Sequence, residues 1–142
     1  MTHVTVGNHA AVRVPRSERD RIRAFYRDIL GCTLVRAFDD KDDFRMGTDF
    51  YIAFLYASGR GVEVDRGVSY ASDDVLSDDD FLKAMFLELK ADDVEEMRRR
   101  IVDFGVRVLP VPDPHLYFQA PGGQVFRLIG SREDMSKYEG AE

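Results

Sequence analysis

The stretch His115-Leu-Tyr-Phe-Gln-Ala-Pro-Gly-Gly-Gln-Val-Phe-Arg-Leu-Ile129 decides how this chain reads. Two apolar-rich runs flank Ala-Pro-Gly-Gly, and Pro-Gly followed by Gly is turn chemistry that reverses a chain. The stretch therefore reads as a β-hairpin. Side chains alternate faces along a strand, which sets Phe126 and Leu128 on one face and Val125, Arg127 and Ile129 on the other. In simple register His115 and Tyr117 share the face of Arg127. An arginine set between apolar neighbours needs a partner when buried. A structural ion pair with Glu88 and direct anchoring of an anionic or carbonyl ligand both meet that need.

Outward from the hairpin, the second half of the chain reads as a strand over 84–91, a helix and a further strand. Asp92 or Asp93 caps the helix, with Glu95 and Glu96 in its first turn. Val94, Met97, Ile101 and Phe104 form its apolar stripe, Gly105 ends it, and the next strand covers 106–111. The first half has the same order. A strand over 8–14 stops at Pro15, and Ser17-Glu-Arg-Asp20 reads as a capping box. Ile22, Phe25, Tyr26, Ile29 and Leu30 then make one helical stripe that ends at Gly31. Strands follow at 32–37, 43–47 and 50–57. Repetition of the order β-α-β-β-β, each helix ending in Gly, is the strongest organisational signal. It predicts an α+β fold with two modules, helices outside a curved, incompletely closed mixed sheet, and a trough on the opposite face.

The expected organisation is a single domain over 1–142. Module one covers about 8–57, a connecting segment 58–82, module two 83–130 and a polar tail 131–142. The connecting segment, with Ser77–Phe81 as a candidate helical turn, has the length of a lid or interface segment. In the tail, Tyr138 is a candidate to dock.

The formal net charge is −6. With no basic stripe, that argues against nucleic acid as a partner. The acidic runs Asp39–Asp43 and Asp73–Asp80 read as solvated loops without the spaced ligands of a calcium loop. No apolar run has the length of a membrane span, and the first residues lack the pattern of a signal peptide. A single cysteine, Cys32, fits a reducing cytoplasm. There is no nucleophile elbow, Cys-x-x-Cys, phosphate loop or dinucleotide fingerprint.

The runs Asn8-His-Ala-Ala-Val-Arg-Val14 and Ile22-Arg-Ala-Phe-Tyr-Arg-Asp-Ile-Leu-Gly31 resemble the opening module of the vicinal oxygen chelate superfamily. That superfamily includes glyoxalase I, bleomycin resistance proteins, extradiol dioxygenases and fosfomycin resistance enzymes. Leu87–Asp93 with Gly105 resembles the start of its second module. Pro121-Gly-Gly-Gln-Val-Phe-Arg-Leu128 resembles its closing hairpin, usually Asp-Pro-x-Gly-Asn-x-x-Glu-Leu. The resemblance implies a metal set on the first and last strand of each module. Carried over by position, His9 falls where the first ligand belongs, Phe86 stands at the second-module ligand position, and Arg127 stands at the Glu position. Tyr51–Tyr56 offers neither carboxylate nor imidazole. The expectation is no metal cofactor, although His9, His115 and Glu88 leave open a rebuilt Zn²⁺ or Fe²⁺ site.

The resulting expectation is a ligand site of His9, Tyr51, Phe86, Glu88, His115, Tyr117 and Arg127, holding a small, partly apolar organic molecule. A metal-dependent lyase, isomerase or dioxygenase, or a scaffold whose trough is filled by its own side chains, are the alternatives. The resemblance also implies a homodimer, with 58–82 as a segment that could lie across the partner.

Overall fold

The structure, a computed structural model, describes residues 2–56 and 84–133. The expectations for 58–82, Ser77–Phe81 and Tyr138 fall outside these residues. The first module consists of β1 (His9–Val14), a 3-10 turn (Arg16–Glu18), α1 (Arg19–Arg23) with a π-helical continuation (Ala24–Ile29), β2 (Thr33–Phe38), β3 (Lys41–Met46) and β4 (Phe50–Tyr56). The second consists of β5 (Leu87–Ala91), α2 (Val94–Phe104), β6 (Arg107–Leu109), β7 (Leu116–Gln119) and β8 (Val125–Gly130). Each makes a four-stranded mixed sheet, in the orders β1-β4-β3-β2 and β5-β8-β7-β6. In each sheet the first strand runs parallel to the last, and the other pairs are antiparallel. The fold is the two-module α+β arrangement that the repeated element order predicts.

Local chemistry explains most element ends. Asp93 caps α2 by accepting a bond from the Glu96 amide at 3.0 Å, and Gly105 closes it at φ 97°. The first helix departs from the capping-box expectation. Its N-terminal residue is Pro15, and Ser17 lies inside the 3-10 turn with no side-chain cap bond. Its second half widens into π geometry, where the Leu30 amide donates to the Phe25 carbonyl at 3.0 Å. The Cys32 amide closes the turn on the Tyr26 carbonyl at 2.8 Å, with Gly31 at φ 79° between them.

Tyr26 and Phe25, adjacent on this widened turn, join the modules. The Tyr26 ring lies 4.8 Å from Phe54 and 5.6 Å from Phe44 in the first sheet, and 6.2 Å from Phe126 in the second. Phe25 meets Phe104 of α2 at 5.3 Å and Phe118 of β7 at 5.8 Å. These separations are those of productive aromatic pairs. Of these seven rings all but Phe104 are fully buried, in one core shared by both modules. The Pro121–Gly122 turn of the closing hairpin is buried as well. A Cβ on Gly122 would sit 3.2 Å from both Ile22 and Val14, and the backbone there has φ 90°. The hairpin turn thus plugs into the first module, and only glycine fits there.

The Asp39–Asp43 run is not wholly a solvated loop. Lys41 starts β3, and alternation along that strand turns Asp42 inward beside Phe44. The fully buried Asp42 carboxylate accepts from Arg23 Nε at 2.8 Å, Arg23 Nη2 at 2.7 Å, Arg19 Nη2 at 3.0 Å and the Tyr56 hydroxyl at 2.8 Å. Burial alone would push its pKa up, but the bonds from Arg23, Arg19 and Tyr56 outweigh it and hold the carboxyl below the usual range. This cluster clamps the first helix to its own sheet. Replacing Asp42 by Asn leaves two guanidinium groups facing an amide. Both arginines still touch solvent, so the expected loss is about 2–4 kcal/mol in denaturant unfolding. Asp39→Asn, at an exposed carboxylate, is expected to change stability by less than about 0.5 kcal/mol.

Candidate functional site

The structure distributes the seven candidate residues over two sheets. His9 and Tyr51 are register partners on β1 and β4, with His9 exposed. Among the described residues no hydrogen bond or ring contact joins them to the other five. Glu88, Tyr117 and Arg127 lie on strands of the second sheet, His115 just before β7, and Phe86 just before β5, which begins at Leu87 and not at 84 as expected. Glu88, Arg127 and Tyr117 are register partners in a row across β5, β8 and β7, so their side chains emerge from one face.

Arg127 is the centre of this row. Its Nε donates to Glu88 Oε2 at 3.1 Å, and its Nη2 makes a second, shorter bond to the same oxygen. Nη1 donates to the Tyr117 hydroxyl at 3.1 Å and lies 3.8 Å from Asp113 Oδ2. The guanidinium sits over the Phe86 ring, 4.9 Å from its centre, and Phe86 stands edge-on to Tyr117 at 5.4 Å. The bond to Glu88 raises the arginine pKa further, so this group is a permanent cation. The Arg127 side chain is 14% exposed and its partner Glu88 26%, so the carboxylate is the outer member of the pair.

His115 stands at the loop edge before β7. It belongs to the same network through Asp113, a residue the sequence reading passed over. Asp113 Oδ1 accepts from the His115 amide at 2.9 Å and contacts His115 Nδ1 at 2.5 Å. Its Oδ2 accepts from the Tyr117 hydroxyl at 2.9 Å. The other imidazole nitrogen meets Glu133 Oε1 at 2.8 Å. The signal was present in Pro112-Asp-Pro114-His115, because an Asp two residues before an amide closes an Asx turn. The backbone bond from His115 is the main cause holding the Asp113 carboxyl below the usual range.

The donor set does not match a divalent cation. Phe86 has no donor atom, and Arg127 places a positive charge where a carboxylate would stand. Among the described residues, no group of three or more His, Cys, Asp or Glu side chains is gathered to hold a metal ion.

The family model described as Glyoxalase/Bleomycin resistance protein/Dioxygenase superfamily matches residues 7–122. The chain belongs to this superfamily. None of the curated proteins matches it in sequence. Among solved structures, the fosfomycin resistance protein FosX of Mesorhizobium loti superposes with a TM-score of 0.61 at 15% identity, covering 99% of this chain and 100% of that one. A FosX variant of Listeria monocytogenes, complexed with Mn(II) and 1S,2S-dihydroxypropylphosphonic acid, gives 0.67 at 16% identity, covering 96% and 99%. A glyoxalase/bleomycin resistance protein/dioxygenase from Nocardioides gives 0.59 at 15% identity, covering 92% and 85%. At these identities the likeness shows the shared superfamily fold.

The imidazole network carries a pH dependence. Bonds to Glu133 first, and to Asp113 second, raise the His115 pKa above its ordinary 6.5. A raised pKa means the charged form stabilises the fold. That contribution is complete below pH 6.5 and disappears as pH rises through the folded-state value. The stability difference between the wild type and His115→Gln is therefore expected to shrink as pH rises above neutrality. Denaturant unfolding at a series of pH values measures it, and NMR titration of the imidazole should place its midpoint above 6.5.

Proposed function

We propose that this superfamily member binds a small, partly apolar organic molecule on the Arg127 face of its second sheet, without a resident divalent ion. The observation that carries the reading is the Arg127 guanidinium bedded on Phe86 and bonded to Glu88 and Tyr117. It offers a fixed positive charge, an aromatic surface and a hydroxyl in one place, which suits a planar or apolar ligand bearing a carboxylate or carbonyl. Such a ligand would replace Glu88, the more exposed partner, and keep the guanidinium neutralised. His9 and Tyr51 would enter the same site only if another surface of the first sheet faces it. A pair of chains supplies such a surface, and a homodimer in a reducing cytoplasm is part of the proposal.

The competing reading is a metal-dependent lyase, isomerase or dioxygenase, favoured by the Mn(II) in the Listeria relative. Its weakness here is the donor count. One imidazole holds a divalent ion weakly, and a nearby guanidinium weakens it further.

The two readings separate in one set of measurements. Metal-stripped protein, screened by ligand-observed NMR against small aromatic carboxylates and amides, is expected to bind members of the set equally well with and without EDTA. Arg127→Met should weaken that binding at least tenfold while the protein stays folded. The double change Phe86→His with Arg127→Glu should raise Mn(II) affinity at least tenfold, because it adds an imidazole and converts +1 to −1 beside Glu88 and Asp113. Binding that requires added metal in the wild type would overturn the proposal.

A further inference from the structure

The face of the first sheet that points away from α1 holds a buried carboxylate that the fold only half uses. Asp42 and Phe44 face the helix, so alternation along β3 sets Lys41, Asp43 and Arg45 on the opposite face. Asp43 is only 5% exposed there. Its Oδ2 lies 3.4 Å from the Lys41 ammonium, a loose ion pair. Its Oδ1 is buried and has no hydrogen-bond partner among the described residues. Strand register gathers three cations around it. Arg36 of β2 is its partner across the ladder, about 5 Å away between Cα atoms. Lys41 and Arg45 flank it along β3, each about 6.6 Å distant. On the other side Asp43 pairs with Ala53 of β4, a small residue between Tyr51 and Leu55, so the floor of the face is low beside the carboxylate.

An oxygen buried without a donor is a cost to the fold, and such groups mark places where the structure serves something other than its own stability. Arg36 and Arg45 are the nearest donors by register. Yet neither makes a hydrogen bond or ion pair among the described residues. Arg36 is exposed and Arg45 half-buried. Three positive groups thus face one negative group, on a chain whose formal net charge is −6. The local surplus favours a doubly charged anion. The carboxylate then sets a condition on that anion. An ionised carboxyl oxygen can only accept, so a negative oxygen approaches Asp43 solely through a proton lying between the two. An anion without a proton meets bare repulsion there, which is selectivity by exclusion.

We propose that this hollow is a site for a phosphate-like oxyanion that carries its own proton, bridged between Arg36 and Arg45 and donating that proton to Asp43 Oδ1. Both arginines are unpinned, and their swing admits the anion to the oxygen. The site is separate from the Arg127 face and stands without it. Hydrogen phosphate and sulfate test it, because they match in charge and shape and only phosphate has a proton to give. The wild-type full chain is titrated with each by proton–nitrogen NMR, in mildly alkaline buffer at constant ionic strength. Phosphate is expected to bind at least tenfold more tightly than sulfate and to shift the Asp43, Arg36 and Arg45 amides. Asp43→Asn keeps the shape and supplies an amide that can donate, so it should bring the two anions within threefold of each other. Removing a buried, half-paired charge should leave the unfolding midpoint unchanged or raise it. Arg45→Gln should weaken phosphate binding at least fivefold without moving the midpoint. Equal affinities in the wild type, no binding of either anion, or shifts confined to the Arg127 face would overturn the proposal. So would a lowered midpoint in Asp43→Asn, which would make Asp43 a structural ion-pair partner of Arg36 or Arg45.

Discussion

A guanidinium taken out of water must keep a neutralising partner, and the candidate site is the consequence of that rule applied to Arg127. The strand register puts Glu88 on one side of it and Tyr117 on the other. Phe86 shields one of its faces. The second carboxylate near it, Asp113, is fixed by the turn it closes and ties His115 into the same network. Arg127, Tyr117 and Asp113 are each held by at least two other members, so the core of the network is set without a ligand, while Glu88 is tied to Arg127. Preorganisation of this kind lowers the entropic cost of binding.

The first module solves the opposite problem. There the buried charge is negative, Asp42, and the partners are Arg19 and Arg23 from the helix and Tyr56 from the sheet. The Arg19 guanidinium also lies over the Tyr56 ring at 4.8 Å. That cluster spends its groups on joining helix to sheet. Between the two charged centres lies the aromatic core around Phe25 and Tyr26, which gives the modules one interior. The lone cysteine sits against it, and burial pushes its thiol up to about 11, the value of an inert packing residue.

The sequence carried the architecture well, for a physical reason. Helix stripes such as Ile22, Phe25 and Tyr26, and turn residues such as Gly31, Gly105 and Pro121–Gly123, act locally, and each formed close to where its pattern placed it. The pairing of Glu88 with Arg127, one of two readings open from the residues, is what the parallel β5–β8 register produces. Asp42 escaped because an acidic run reads as solvated unless the strand alternation inside it is noticed. Asp113 escaped because its role depends on where His115 and Tyr117 turn. Ser17 misled because Pro15 already fixes an extended backbone ahead of the helix. Whether His9 shares a cavity with Arg127 is a question of tertiary arrangement, which no local pattern encodes.

The proposed function has a guanidinium, that of Arg127, standing in for a metal ion on the second sheet. Mn(II) titration followed by proton–nitrogen NMR tests it directly, because a bound paramagnetic ion broadens every resonance around it. Substoichiometric Mn(II) is expected to leave the Arg127 Nε–H signal and the Glu88 and Phe86 amides sharp, with broadening confined to exposed acidic side chains. Selective loss of the Arg127, Phe86 and His9 signals, complete near one equivalent of Mn(II), would contradict it.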